Sequence, residues 1–443
     1  MTSSTSATPA IIPPDRLPPI ESHGFGGGRD DLHAFCARVF TQPSPRFFRD
    51  ADGHLVVYRN RDLQALGSAP EVGAVPPQSL FGPIPRPAAH SAPPPGMALA
   101  WTISNQIFTT NPPVHKPVRR LLSGEMGPRQ ARDMAHTAQT VAEDVLDTLA
   151  PIVTAGQEID VARNLANRMV CGFWGRLLGL LPDEIEAIAR HVHDMTPMFF
   201  LNHQPEDLAR LERGAAGYRQ ILADAAARTL AYGGNPLIER LAQGLASIDQ
   251  QGDLDETGIV PTDVGMLLAG NLVDGFHTAA VAVANCMHVM ANRPEVMPAL
   301  QARPDAIGQA VFEALRLEPP VIMLKRRLLA DLTYQGIALR KGAILTMMWG
   351  AGGLDPDVFP EPGQFDLGRS LQGSTTFGGG THLCIGRSVA PMIVRTLLKA
   401  MIARSWRIVP GDSPTNWIGG HVMCQTENFS ARIVPMAPGE LNA

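Results

Sequence analysis

Polar residues interrupt the longest hydrophobic run of the chain, which covers residues 264–290. A long apolar run with such interruptions indicates a helix that is buried in a protein core. The interrupting side chains are those of Asn271, Asp274, His277 and Thr278. Successive residues of a helix are about 100° apart, so these four side chains share about a third of the helix surface. The pattern therefore predicts a central core helix that carries one polar stripe.

Shorter patterns predict the elements around this helix. Residues 113–312 are mostly helical in pattern, and a last long helix covers roughly 386–404, where we expect Pro391 to introduce a kink. Short strands are predicted as a hairpin in 46–59 that turns at Asp52–Gly53, and in 326–349 with joints at Gln335–Gly336 and Lys341–Gly342. The predicted fold class is mainly α, with a smaller β-rich part that both ends of the chain contribute.

Length and composition indicate one large globular domain with short tails. The chain has 443 residues, of which 45% are hydrophobic and 18% are charged, as is typical of a protein with a sizeable core. Residues 1–30 are rich in Pro, Ser and Gly, and we expect them to form a flexible tail. The predicted domain covers residues 31–437, and residues 438–443 form a short second tail.

Charge and cysteine content exclude several classes of protein. The chain has 37 basic and 42 acidic residues, a net charge of −5, and no block of Lys or Arg, so we expect no nucleic-acid partner. Its five cysteines include no C-x-x-C pair, which favours a reducing compartment over a disulfide framework or a zinc site. The N-terminal residues contain neither a signal peptide nor a membrane anchor. We therefore expect a cytoplasmic protein.

One cysteine lies in a distinctive sequence context, "FGGGTHLCIGR" at residues 377–387. Three consecutive glycines allow backbone conformations that other residues avoid, and they let a flat ligand approach the chain closely. Cys384 follows this loop and directly precedes a helical pattern, where we expect the helix dipole to favour its thiolate form. A thiolate at such a position is suited to bind a soft metal ion.

The segment "FGGGTHLCIG" resembles the haem-ligand signature F-x-x-G-x-H-x-C-x-G of the cytochrome P450 family. Three further segments resemble motifs of that family and occur in the same order. They are "NPPVHKPVR" at 111–119, like the family's helix whose His and Arg bind a haem propionate; "EALR" at 313–316, like E-x-x-R; and "RRLLAD" at 326–331, like a strand whose first Arg binds a propionate. The resemblance covers roughly residues 35–435.

The resemblance implies a cytochrome P450 fold with haem b held between the long central helix and the cysteine loop. Cys384 is then the iron ligand, and the haem-binding residues are His115, Arg119, Arg326, Phe377, Gly378, His382, Cys384 and Gly386. Haem propionates are anions, so the basic members of this set are chemically suitable donors. One departure concerns Gln364, where the family often has an Arg or His that reaches the Glu–Arg pair of E-x-x-R. Arg369 is the candidate to take its place.

The polar stripe aligns, through "DGFHT" at 274–278, with the family's A-G-x-[DE]-T segment on the distal side of the haem. There the Thr holds water at the oxygen site, and the acid before it helps to supply protons. Thr278 matches, His277 stands in place of the acid, and Asp274 stands where Ala or Gly is usual; these three are the candidate catalytic residues. His277 is either a substitute proton relay or a structural residue. Asp274 pairs with a cationic substrate, joins the relay or points aside to water, and the sequence leaves all three open.

By resemblance, we expect a monooxygenase that inserts one oxygen atom from O2 into a small, largely apolar molecule. With no reductase domain in the sequence, a ferredoxin and a ferredoxin reductase are the expected electron donors. A basic docking face for that partner is predicted from Lys116, Arg119, Arg120, Arg369 and Arg387. The expected pocket walls are residues 80–100, 190–203, 320–324 and 416–425.

Three other readings of the sequence remain open at this point. The first keeps the haem but changes the reaction to that of a peroxygenase, an oxidative coupling or rearranging enzyme, or a nitric oxide reductase. The second is a haem-binding sensor or carrier without catalytic activity. The third is an unrelated helical enzyme without haem.

Overall fold

The computed structural model describes residues 13–85, 88, 90–249 and 257–436, and most of these residues are helical. The α-helices are α1 (Arg29–Val39), α2 (Asn60–Ser68), α3 (Gln78–Phe81), α4 (Ala98–Ser104), α5 (His115–Met126), α6 (Pro128–Thr154), α7 (Asn167–Leu177), α8 (Pro182–Asp194), α9 (Pro205–Tyr232), α10 (Pro236–Ala246), α11 (Val264–Ala291), α12 (Val296–Ala302), α13 (Ile307–Leu317), α14 (Trp349–Gly352) and α15 (Val389–Ala403). A π-helix, Val161–Ala166, precedes α7.

Short β-strands lie mainly in the first and last parts of the chain. They are β1 (Phe48–Arg49), β2 (Leu55–Val57), β3 (Val72–Gly73), β4 (Glu158–Asp160), β5 (Leu324–Leu328), β6 (Leu332–Tyr334), β7 (Ile337–Leu339), β8 (Ile344–Met347), β9 (Trp406–Pro410), β10 (Asn416–Trp417), β11 (Thr426–Asn428) and β12 (Ser430–Pro435). Together with the helices, they confirm a mainly α fold with a smaller β-rich part.

Helix α11 is the predicted central helix, and it packs against α7, α9, α13 and α15. It begins where the side chain of Asp263 accepts a hydrogen bond from the backbone N–H of Met266 at 2.9 Å, an N-cap that satisfies one free donor of the first turn. The helix is long and apolar enough to cross a membrane, but most of it is buried inside the protein. These contacts confirm its prediction as a core helix.

The largest sheet joins strands from both parts of the chain in the order β1-β2-β8-β5-β3. The predicted hairpin of β1 and β2 is antiparallel, while β2 pairs in parallel with β8, and β8 pairs in antiparallel with β5. The pairing of β5 with β8 sets Arg326 opposite Leu345, on the buried face of the strand. The sheet thus fixes the backbone position of one predicted haem-binding arginine.

The prediction of a flexible tail over residues 1–30 is wrong for its second half. Residues 14–16 and 20–23 form short 3-10 helices, and Ile20 and Phe25 are buried in the core beside α1. The backbone N–H of Gly28 donates to the carbonyl of His421 at 2.8 Å. Isolated apolar residues among Pro and Gly anchor this segment, a signal that composition alone does not show. Residues 1–12 and the predicted tail 438–443 lie outside the described residues.

The expected kink at Pro391 is also wrong, because α15 begins later than the sequence pattern suggests. Residues 385–387 form a separate 3-10 turn, and α15 starts at Val389. Pro391 is therefore in the first turn, where a backbone N–H has no partner within the helix. A proline there removes no helical hydrogen bond.

A buried ion network holds α13 to the loop that follows α14. Glu313 and Arg316 are fully buried and form a bidentate pair with bonds of 2.8 Å. Arg369 adds a third member by donating from Nε to Glu313 at 2.9 Å, and Gln364 contributes only its backbone carbonyl. The expectation that Arg369 takes the place of the missing basic residue at 364 is confirmed.

We predict that Glu313→Gln lowers the free energy of unfolding by about 3–5 kcal/mol, because it leaves two guanidinium groups buried without a carboxylate. The matched control is Arg340→Gln, which removes an ion pair whose members are exposed by 84% and 57%. Such a surface pair contributes less than about 1 kcal/mol. Urea unfolding of the three proteins measures both effects, and equal losses in the two variants would contradict the assignment.

Candidate active site

A largely apolar cavity, here called the central cavity, lies between α11 and the cysteine loop 376–386. Asp274 and Thr278 line it from α11, and Cys384 lines it from the loop. Apolar side chains supply most of the remaining wall: Ile107, Phe108, Leu122, Trp174, Phe199, Leu267, Leu268, Leu272, Val321, Leu324, Val422 and Met423. The structure therefore brings the predicted thiolate ligand and three residues of the polar stripe, Asn271, Asp274 and Thr278, to one enclosed space.

Glycines shape the cysteine loop as the sequence predicts. Gly378 and Gly380 have φ values of 73° and 62°, in the left-handed region that favours glycine. A Cβ atom on Gly380 would lie 1.7 Å from the carbonyl oxygen of Gly67, so no other residue fits there. The loop closes where the N–H of Cys384 donates to the carbonyl of Phe377 at 2.9 Å.

The Cys384 thiol is exposed to the cavity, yet protein surrounds it. Burial raises its pKa, although a hydrogen bond from the N–H of Gly386 and the charges of Arg387 and Arg119 act in the opposite direction. The expected helix N-terminus is that of the 3-10 turn 385–387, whose N-cap is Cys384, and not that of the long helix α15, which begins at Val389. A metal ion that binds the sulfur would offset the cost of burying a thiolate.

Four basic side chains converge at the edge of the central cavity. Arg119, Arg326 and His382 line it, and the ring of His115 lies behind that of His382 at a centroid distance of 4.5 Å. Arg119 donates to the carbonyl of Leu383 at 2.5 Å, and Arg326 donates to the carbonyl of Lys325 at 3.0 Å. No carboxylate of the described residues forms an ion pair with any of the four.

This uncompensated positive charge is costly, and the pKa values reflect it. Burial lowers the pKa of Arg326 to about 10, and burial with neighbouring arginines lowers those of His115 and His382 to about 4 and about 2. Nε2 of His115 and Nδ1 of His382 are buried without a hydrogen-bond partner. A dianionic group would supply both the missing charge and the missing acceptors. The two propionates of a haem meet this requirement, so the residues fit the expected cofactor.

Thr278 and Asp274 form a linked pair on the cavity side of α11. The hydroxyl of Thr278 donates to the backbone carbonyl of Asp274 at 2.6 Å, which leaves its oxygen free to accept a hydrogen bond from the cavity side. The Asp274 carboxyl accepts a long hydrogen bond of 3.3 Å from Nε2 of Gln106. Burial raises the pKa of Asp274 to about 7, so this carboxyl changes its charge near neutral pH.

The structure does not bring His277 to the central cavity. Its Nε2 lies 2.9 Å from Oε1 of Gln425, and its ring stacks on Phe199 at a centroid distance of 4.6 Å. Burial lowers the pKa of His277 to about 4. Asn271, the fourth residue of the stripe, holds backbone groups, since it accepts from Ile107 N and donates to Asn105 O. The stripe is therefore divided between two surroundings.

His277 instead lines a second space, here called the side cavity, on the opposite flank of α11. Helices α6, α7 and α8, the segment 160–168 and residues 425–427 form its other walls. Arg168 and Glu427 on its rim are exposed, so solvent enters it from the protein surface. His277 thus borders a space that is open to the surface, although its own side chain is buried.

The predicted pocket walls are correct for three of the four segments. Residues 190–203, 320–324 and 416–425 contribute to the central cavity, but the described residues of 80–100 do not. Ile107 and Phe108 take their place, and Trp174 of α7 was also missed. Trp174 reaches the cavity because its indole N–H donates to the carbonyl of Gly275 at 3.0 Å, a contact that sequence spacing does not reveal.

Only some of the residues predicted for the basic docking face belong to it in the structure. Lys116, Arg120 and Arg387 are exposed beside the cysteine loop, and Arg119 is half-buried. Arg369 does not belong to this face, because its side chain is only 8% exposed and pairs with Glu313. Its role in the buried ion network excludes the predicted contact with a partner.

Comparison with known proteins gives concordant results. The sequence profile of the family described as Cytochrome P450 matches residues 189–431. The mycinamicin IV hydroxylase/epoxidase of Micromonospora griseorubida is 25% identical over 68% of this chain and 72% of its own length. The linalool 8-monooxygenase of Pseudomonas putida is 24% identical over 67% of this chain and 70% of its own length.

The fold matches a solved structure over nearly the whole chain. The crystal structure of CalO2 superposes with a TM-score of 0.75 and 21% sequence identity, and covers 97% of this chain and 100% of that one. The similarity includes the helical body and the small sheets, and it supports the predicted fold.

We predict that Arg326→Gln weakens haem binding, because it removes the more buried of the two arginines in this group. Loss of a charged hydrogen bond costs about 1.5–3 kcal/mol, which corresponds to a rate of haem loss raised about tenfold or more. The neighbouring Lys325 is the matched control, since it is exposed and pairs with Asp52 at 2.9 Å. Transfer of haem to an excess of a haem-scavenging protein measures the rate. Equal rates for Arg326→Gln and Lys325→Gln would refute the assignment.

Proposed function

Because the chain belongs to the cytochrome P450 family and is a haem-thiolate monooxygenase, we propose that it inserts one oxygen atom from O2 into a small, largely apolar organic substrate. The observation that carries this proposal is the central cavity, in which Cys384 faces Thr278 and Asp274 between apolar walls. The names of the two relatives, a hydroxylase/epoxidase and a monooxygenase, support the same class of reaction.

The chain's residues bind the cofactor at three places. Cys384 would provide the sulfur ligand of the iron, and the N–H of Gly386 donates to that sulfur and would restrain its electron donation. Arg119, Arg326 and His382 hold the propionates, with His115 behind them. We propose haem b as the cofactor, which when bound supplies the activation of O2 with two electrons. Phe377, Gly378 and the glycines beside them leave room for a flat ring.

Residues on the two flanks of α11 take different parts in proton transfer. Oε1 of Gln425 can only accept, so the bond to His277 places the proton on Nε2 and leaves Nδ1 as an acceptor. We expect Nδ1 to take protons from water in the side cavity. Thr278, the next residue, lines the central cavity, and its Oγ1 proton is held by the carbonyl of Asp274 in this structure. With a pKa near 4 the imidazole is neutral at pH 7, so any imidazolium formed at Nδ1 releases its proton readily.

We propose that electrons come from a ferredoxin and its ferredoxin reductase. Lys116, Arg120 and Arg387 form an exposed basic surface beside Cys384, and acidic ferredoxin-type partners suit such a surface. The shortest path for electrons leads through the cysteine loop, since this surface lies on the side of the haem site opposite α11. The five free cysteines agree with a reducing cytoplasm.

A peroxygenase is the second candidate, and the position of His277 favours it. The usual acid next to the Thr is missing here, and the imidazole faces away from the central cavity. A peroxide brings its own protons and electrons, so it makes fewer demands on a relay. The two reactions differ in the source of the oxygen atom.

We predict that product formed under isotopically labelled O2, with electrons from a ferredoxin system, contains one labelled atom. Mass spectrometry of the product measures the label. Labelled peroxide without O2 is the comparison, and we expect it to give a lower yield per haem. If only peroxide yields product, the monooxygenase assignment gives way to the peroxygenase.

We predict that Thr278→Ala reduces the product formed per electron pair by about tenfold or more, since it removes the hydroxyl that holds a proton at the oxygen site. Thr278→Ser is the control and should restore most of the yield, because it keeps the hydroxyl. Unchanged yield in Thr278→Ala would rule out the role.

His277→Gln is the companion variant on the other flank. It should lower turnover but leave the pH profile between about pH 6 and 9 unchanged, because a group with a pKa near 4 is already neutral there. A profile that loses an inflection in this range would show that His277 itself titrates near neutrality.

A further inference from the structure

Asp274 is the one carboxylate among the described residues that line the central cavity. The side chain is partly exposed, and this exposed part faces the cavity rather than the outer surface. Its surroundings are otherwise mainly Leu, Val, Ile and aromatic side chains. An acid at this place on α11 is therefore not explained by packing.

Few groups of the protein stabilise the ionised form of the Asp274 carboxyl. The hydrogen bond from Gln106 is 3.3 Å long, and the amide that donates it is neutral. Burial raises the pKa of the carboxyl to about 7, and no cation of the described residues lies close enough to lower it. The ionised form is thus held in the cavity without a counter-charge, at considerable cost.

Other titratable groups around Asp274 do not supply that charge. Tyr218 of α9 is buried, and burial raises its pKa well above the usual value, so its phenol stays neutral. Cys384 across the cavity is neutral as a thiol and anionic as a thiolate, so it supplies no positive charge. Arg119 and Arg326 belong to the basic cluster that suits the propionates, and His277 faces the side cavity.

Aromatic rings add a second feature that suits a cation. Phe108, Trp174 and Phe199 line the same cavity. The indole of Trp174 is fixed against α11 by its hydrogen bond to Gly275, the residue after Asp274. Aromatic faces attract ammonium groups, and a desolvated contact of this kind is worth about 2 kcal/mol. A carboxylate together with three aromatic rings is a set of groups suited to bind an ammonium ion.

We propose that the substrate carries a protonated or quaternary amine, which pairs with Asp274, and an apolar skeleton that fills the rest of the central cavity. Gln106 is a positioning residue that holds the carboxylate toward the cavity. The inference rests on the proposed function, because it names the substrate class of the same site. An ion pair with Asp274 also keeps an amine protonated, so that its nitrogen has no lone pair with which to bind the iron.

A matched pair of ligands tests the charge alone. The probes are a phenylalkyl trimethylammonium ion and its neutral isostere, in which a tert-butyl group replaces the trimethylammonium group. The quaternary nitrogen has no lone pair, so direct binding to iron does not contribute. Calorimetry and the change in the haem spectrum of the holoenzyme give both dissociation constants at pH 6 and pH 8.

At pH 8 we expect the wild-type protein to bind the cation more tightly than the isostere. In Asp274→Asn, the ratio of the two dissociation constants should shrink at least tenfold. The preference should shrink at pH 6, because a carboxyl with a pKa near 7 is then mostly protonated. Asp133→Asn is the control for removal of one negative charge, since Asp133 lies on the exposed surface of α6. Gln106→Leu should reduce the preference partially.

Equal preference in the wild type and in Asp274→Asn would overturn the inference, as would a wild-type preference that does not change between pH 6 and pH 8. The pH comparison needs no variant, so it decides the matter even if Asp274→Asn does not fold. The result with the neutral isostere distinguishes failure of this inference from failure of the proposed function. If it shifts the haem spectrum and becomes hydroxylated, the monooxygenase stands and only the substrate class is wrong.

Discussion

The guanidinium of Arg326 lies buried on β5, close enough to His115 and His382 to lower their pKa values, and no carboxylate of the described residues pairs with it. A folded protein does not collect positive charge in its interior without an anion to balance it. The sheet of β5 and β8 fixes this arginine from one side, and α5 brings His115 and Arg119 from another. A dianionic group at their meeting point would balance this charge, beside a cavity that the cysteine loop and α11 enclose.

Helix α11 then separates two chemical surroundings. Thr278 and Asp274 face the apolar central cavity, whereas His277 faces the side cavity that solvent enters from the surface. A helix that is apolar on most of its surface can carry both sets, because a rotation of about 100° per residue sends neighbours to different flanks. The arrangement places an imidazole one residue away from Thr278 but outside the central cavity. Asp274 is the exception to an otherwise apolar wall, which is why it bears on the choice of substrate.

Sequence alone predicted those parts that local patterns determine. The cysteine loop was predictable because Gly378 and Gly380 need left-handed backbone, and the role of Arg369 was predictable because a buried Glu–Arg pair needs another donor. The direction of the His277 side chain was not predictable. The stripe spans about a third of the helix surface, and the elements packed around α11 decide which cavity each of its residues borders. Likewise, the replacement of 80–100 by Ile107 and Phe108 depends on how α4 packs. Such contacts join residues far apart in sequence, and no local period encodes them.

The central claim is that Cys384 binds haem iron as a thiolate in a site built for oxygen activation. The most direct measurement is the absorption spectrum of the purified, reduced protein with carbon monoxide, compared with that of Cys384→Ser. The account predicts the long-wavelength Soret band of thiolate ligation in the wild type and its loss in the variant, while the basic cluster still retains part of the haem. A wild-type protein without haem, or one whose band is that of imidazole ligation and does not change in Cys384→Ser, would contradict it.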